Sequence, residues 1–199
     1  MVPTRARVLD SAMHKLAFYT VGLMHEDVYS ERSKGFADRA PGVYAVADQS
    51  DGFDSRSIRD YNTWLHSWGN IVTPACYACA GDDKRLATTL SLWQDLESVA
   101  AFAYHGPHAE ALTKRRDWFP QTNLPVYVAW WVPAGASISW PDGAERADHL
   151  HTHGSTPFAF TFSKPFDPHG NPVRLDAAAV KRKAERNAAA HSNPTAPAD

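Results

Sequence analysis

Residues 125–133 read PVYVAWWVP, a run with no charged side chain between its two prolines. Its β-branched and aromatic content favours a strand. Because the run is apolar on both sides, both of its faces have to be covered, which points to a central place in a sheet. Alternation puts Val126, Val128, Trp130 and Val132 on one face, and Tyr127, Ala129 and Trp131 on the other. Residues 15–22 (KLAFYTVG), 43–47, 87–93 (ATTLSLW) and 158–162 (FAFTF) read as the other strands.

Helical spacing links these strands. Residues 25–40 carry a partial stripe of Val28, Tyr29, Phe36 and Ala37, and Pro41–Gly42 is expected to stop that helix. Asp95 is placed to cap a helix whose apolar face is Leu96, Val99, Ala100 and Ala103. Gly106–Pro107 should break it before a second piece over residues 108–116. A further helix is expected over 142–153, and a peripheral one over 177–190 ahead of a frayed tail. Residues 49–86 form a long excursion with one short helix around Tyr61, Trp64, Leu65 and Trp68. Excursions of this length are often functional, and this one brings Trp64, His66 and Trp68 as a lid for a pocket mouth.

The order β-α-β-(insert)-β-α-β-α-β predicts an α+β fold, a ferredoxin-like antiparallel sheet with helices on one face. Burying the other face against a second copy gives a homodimer. The expected layout is an N-terminal extension over 1–14, the sheet domain over 15–166, and a helix and tail over 167–199.

Composition removes several classes. With 199 residues, 44% hydrophobic and 21% charged, the chain can bury one good core. No apolar run reaches the roughly 18–20 residues a bilayer span needs, so no membrane partner is expected. A net charge of −2 exerts no pull on nucleic acid. Two cysteines make no disulfide scaffold, and the absence of a leader pattern suggests a cytoplasmic setting. There is no P-loop, GxGxxG, GxSxG or HExxH.

Five stretches carry a family resemblance: LSLW at 90–93, FAYHGPHAEALTKRRDWF at 102–119, VAWWVPAG at 128–135, HLHTHGSTP at 149–157 and FAFTFSKPF at 158–166. Together they resemble domain-of-unknown-function family 3291 over residues 16–166. The resemblance implies the dimeric α/β barrel fold, which is shared with antibiotic-biosynthesis monooxygenases and several haem-handling enzymes. Relatives often carry an amide in the first strand, where this chain has Phe18 and Thr20, and an asparagine where it has Thr89. By fold-level analogy, the implied activity is that of an enzyme of secondary metabolism acting on a small aromatic or polyketide-like molecule. It would be a cofactor-independent monooxygenase or an acid–base cyclase or dehydratase. The alternatives are a haem protein using His108 or His105 as axial ligand, and a dimer that binds a small molecule without converting it.

His108 is the first candidate for chemistry. At helical spacing it shares a face with Ala111, Leu112 and Arg115, turned toward the sheet. A histidine in an apolar setting keeps a pKa low enough to act as a base near neutrality. Tyr104 could give a proton, and Arg115 could clamp an anion with its planar fork. Trp93, Trp118 and Trp130 are expected to line an aromatic pocket with Phe18, Thr20 and Thr89. Of His149, His151 and His153 only the first and last share a helix face, and with no carboxylate or third ligand beside that pair the stretch fits the capping of a helix end better than a metal site. A single CxxC at Cys76 and Cys79 is weak evidence for redox work.

Overall fold

A computed structural model describes residues 13–63, 65–80 and 83–192. The chain runs β1 (His14–Leu23), α1 (Lys34–Ala37), α2 (Ala40–Asp48), β2 (Phe53–Arg56), β3 (Leu86–Trp93), α3 (Leu96–Tyr104), α4 (Gly106–Thr113), α5 (Arg115–Trp118), β4 (Tyr127–Pro133), α6 (Trp140–His153) and α7 (Ala177–Ser192). Two 3₁₀ turns, Ala75–Ala80 and Asp83–Arg85, precede β3.

The four strands form one antiparallel sheet in the order β2-β3-β1-β4. This is the split β-α-β arrangement of ferredoxin-like folds. β1 occupies the centre, and its ten residues pair with β3 on one side and β4 on the other. β4, expected at the centre, is the outer strand instead. Its free edge is covered by Phe160, which exchanges two backbone hydrogen bonds with Ala129 at 2.9 Å each. The expected strand over 158–162 reduces to two isolated bridges, Phe160 to Ala129 and Ala159 to Thr156.

The second strand lies elsewhere than expected. Residues 43–47 belong to helix α2, and Pro41 begins that helix instead of ending the one before. Proline suits a first helical turn because the N–H it lacks has no partner there. The true β2 has the sequence FDSR, too short and polar to stand out. The helix expected over 25–40 shrinks to α1. In the excursion, Arg59 pairs with His66 across a turn where a short helix was expected; Trp64 lies outside the described residues.

Both faces of the sheet are covered within the chain. On one, Leu16, Phe18, Trp93 and Ala129 pack with Ala47 of α2 and with Leu96 and Val99 of α3. On the other, Ala17, Tyr19, Val21, Leu90 and Trp130 pack with Trp140, Ala147 and Leu150 of α6, and with Tyr77 of the first 3₁₀ turn. This corrects the expectation of helices on one face: α6 occupies the surface that barrel pairing would use. The approach is close because Gly143 stands over Tyr19. A Cβ there would lie 2.8 Å from two of the ring's carbons. Ser139 and Asp142 start α6 with a reciprocal capping box. Each large apolar side chain buried this way stabilises the fold by about 1.5–3 kcal/mol.

Helix α7 is docked, not peripheral. Lys183 reaches Asp51 at 3.2 Å and Asp95, the N-cap of α3, at 3.4 Å. Arg186 also bonds Asp51, and buried Asn187 accepts the Asp51 N–H. The segment before it is anchored too, since Val173 and Leu175 pack on the core and the Asp176 N–H donates to buried Glu97.

Two outcomes follow. Gly143→Val should lower the urea midpoint by the equivalent of about 1–3 kcal/mol, because an overpacked contact between helix and sheet has no flexible end to move; unchanged stability would show that α6 is not seated on Tyr19. Burial raises the Asp51 carboxyl, but the bonds from Arg186 and Lys183 outweigh it and leave it below the ordinary 3.8. Its contribution is therefore complete above that value and is lost as pH falls through the lowered one. Asp51→Asn should lower stability at neutral pH and weaken its fall in acid, measured by denaturation at several pH values.

Candidate functional site

The break between α3 and α4 builds the first part of the site. Gly106 takes a left-handed backbone, φ 61°, which glycine adopts without steric cost. Pro107 then opens α4. The reversal lets His108 fold back on the helix it has just left, with Nδ1 2.9 Å from the Ala103 carbonyl oxygen. A carbonyl can only accept, so Nδ1 carries the proton and Nε2 keeps its lone pair. Nε2 makes no hydrogen bond among the described residues. The ring lies 4.9 Å from Phe102, which in turn lies 5.3 Å from Trp93. Burial pushes the imidazole pKa down, the bond to Ala103 pulls it up, and the net result is below the ordinary 6.5. At neutral pH His108 is an uncharged base.

The sheet face beneath α3 is ordered in rows. Leu16, Trp93 and Trp131 form one; Phe18, Ser91 and Ala129 the next; Thr20, Thr89 and Tyr127 the third. Gly22 and Ala87 follow, roofed by Phe119, whose ring would sit 2.7 Å from a Cβ on Gly22. The third row therefore carries a hydroxyl residue on each of three strands; of the row before it, only Ser91 is polar, and its hydroxyl is occupied by the Phe18 carbonyl and the Trp93 N–H. Thr20 and Thr89 share a hydrogen bond at 2.7 Å, and all three residues are half-buried.

Aromatic rings wall this row. Phe18, Tyr127 and Phe162 stand 5.3–5.7 Å apart, and Tyr104 meets Phe162 at 6.0 Å. The Tyr127 oxygen accepts the Phe162 N–H at 3.2 Å. Burial first, then the neighbouring Tyr104 phenol, pushes the Tyr127 hydroxyl up to about 12. It stays protonated throughout the physiological range.

Phe18, Thr20, Thr89, Trp93, Tyr104 and His108 thus belong to one side of the sheet. The other expected residues do not join them. Arg115 is exposed, because the helix breaks at Lys114 and resets the phase that would have turned it inward; its guanidinium bonds the Leu112 carbonyl. Trp118 is buried beside Phe36 and Arg39. Trp130 lies on the opposite face, beneath Arg146. Trp93 is sealed at 1% exposure, donating to the Ser91 hydroxyl. The walls are phenylalanine and tyrosine where tryptophan was expected.

At the end of α6, Gly154 closes the helix by donating to Leu150. His149 bonds the Thr156 hydroxyl at 2.9 Å and lies 4.6 Å from His153, so it does not cap. No group of three or more metal-ligating side chains occurs among the described residues. A separate groove of about 390 Å³ runs between α2 and α4, edged by Asp38, Arg39, Glu110 and Lys114 over Val43 and Val46. His108 is not among its lining residues. The side chain of Cys79 lies outside the described residues.

Tyr127, Phe162 and Phe102 were not singled out from the sequence. Alternation already put Tyr127 opposite Trp130, but only the strand register places it beside Thr20. Phe162 reaches the site from a segment with no ladder of its own, which periodicity cannot locate.

A family model described as Domain of unknown function (DUF3291) matches residues 15–176. No curated protein and no solved structure gives a match. Among the described residues no helix is long and apolar enough to cross a membrane.

The tautomer of His108 can be read directly. Long-range ¹H–¹⁵N correlation spectra should show a protonated Nδ1, a bare Nε2 and a titration midpoint below 6.5. A midpoint at or above that value, or the opposite tautomer, would remove the buried neutral base.

Proposed function

Since the chain belongs to the DUF3291 family, which is defined by shared sequence and not by a reaction, we propose from its own side chains that it is an acid–base enzyme acting on a small, flat aromatic molecule. The observation that carries this reading is His108: half-buried against Phe102, uncharged, oriented by Ala103, with Nε2 left as a proton acceptor. A base held this way has a pKa near working pH and needs no reorganisation before it acts.

The substrate would lie over Thr20, Thr89 and Tyr127, between the rings of Phe18, Phe162 and Tyr104. Nε2 would take a proton from an acidic C–H or phenolic O–H, and hydroxyl donors would hold the resulting anion away from bulk water. Such an anion is the common entry to dehydration, cyclisation or attack on dioxygen. The fold-level likeness to barrel monooxygenases favours the last by analogy alone. All of these residues come from one chain, so the reading does not require a second copy.

A non-catalytic binder would use the same walls and give Nε2 no work. The two readings separate on 2-tetralone, a flat aryl ketone with acidic C–H bonds, followed by NMR in D₂O. The enzyme should accelerate deuterium incorporation, and His108→Ala should slow it roughly 100-fold. The base form is lost as pH falls through the lowered pKa, so the rate should reach half its plateau at a pH below 6.5. Binding without accelerated exchange would leave only the carrier; exchange indifferent to His108→Ala would assign the proton to another group.

A further inference from the structure

The hydroxyl row has a proton inventory that says what kind of ligand edge it meets. A threonine hydroxyl carries one donor hydrogen and two acceptor lone pairs. Thr20 and Thr89 make one hydrogen bond to each other, at 2.7 Å. That bond uses one of their two hydrogens, whichever residue donates. The second hydrogen has no acceptor among the described residues.

Tyr127 differs: its oxygen takes the Phe162 N–H, and its hydroxyl is tied to those of Tyr104 and Thr161. Directly opposite Thr20 in register, it contributes its ring to the wall beside the threonine pair. Thr20 and Thr89 thus stand half-buried between the Phe18 row and the roof made by Phe119.

Resting on the small-molecule reading above, we propose that Thr20 and Thr89, with the Tyr127 ring beside them, form the specificity floor of the site, recognising an oxygen acceptor on the ligand's inward edge, a ring carbonyl or the oxygen anion derived from it. Hydrocarbon rings of the same shape would have to bury the spare hydroxyl hydrogen unpaired, which is unfavourable. The floor thus selects oxygenated aromatics over their hydrocarbon counterparts. It acts by positioning: the carbonyl fixed on the row sets which C–H or O–H is presented to the rest of the site.

The test compares 9-fluorenone with fluorene, two flat molecules that differ in one carbonyl, by tryptophan-quenching titration of the full chain. Wild type should prefer fluorenone by at least about fivefold, the worth of one net hydrogen bond. The double variant Thr20→Val/Thr89→Val should abolish that preference, because either single substitution still leaves one hydroxyl hydrogen to offer, and its far-UV circular dichroism should match wild type. Equal affinity for the two probes in wild type, or a preference that survives the double substitution, overturns the specificity floor. Failure of both probes to bind, or binding that ignores Phe18→Ala, points instead to the aromatic site itself as the error.

Discussion

The fold turns on the seating of α6 over β1. β1 is the central strand, with buried side chains on both faces, so each side needs a covering layer. On one side α2 and α3 supply it, as the crossover connections of a split β-α-β sheet dictate. On the other the cover is α6, which comes close because Gly143 leaves room for the Tyr19 ring. Trp140, Ala147 and Leu150 fill in around it. With both faces closed inside one chain, the sheet becomes a rigid floor, and its first face is free to be specialised.

That specialisation is a polar line drawn through an apolar surface. A sheet face of this kind is expected to bury hydrocarbon throughout, because an unpaired hydroxyl in a core costs about 1–3 kcal/mol. The Thr20–Thr89 pair, half-buried and flanked by the Phe18 and Tyr127 rings, breaks that pattern with one hydroxyl hydrogen to spare. The neutral imidazole of His108 belongs to the same side, placed by a helix break and not by helix phase. The site combines two devices: strand register aligns the hydroxyls, and a glycine-proline reversal orients the base.

Much of this was readable in the sequence where a single local rule governs. The apolar strands β1, β3 and β4, the Asp95 cap and the Gly106–Pro107 break each follow from a few adjacent residues. The errors came where context decides. Pro41 reads equally as a helix stop or a helix start. FDSR reads as loop until a neighbouring strand pairs with it. Arg115 drifted outward because one residue, Lys114, left helical geometry. β4 was placed centrally because its apolar character was credited to strands on both sides, when Phe160 from a separate loop covers its edge. Tyr127 became visible only through register, a relation between residues more than a hundred positions apart.

The bond between Thr20 and Thr89 can run in either direction without moving a heavy atom. When Thr20 donates, Thr89 shows a hydrogen to its surroundings; when Thr89 donates, the roles exchange. Such a pair is a two-position switch for polarity, able to greet a guest's O–H with a lone pair and its conjugate base with a hydrogen. A rigid pleat lined in this way could follow a molecule through deprotonation by rotating two C–O bonds, leaving the architecture still.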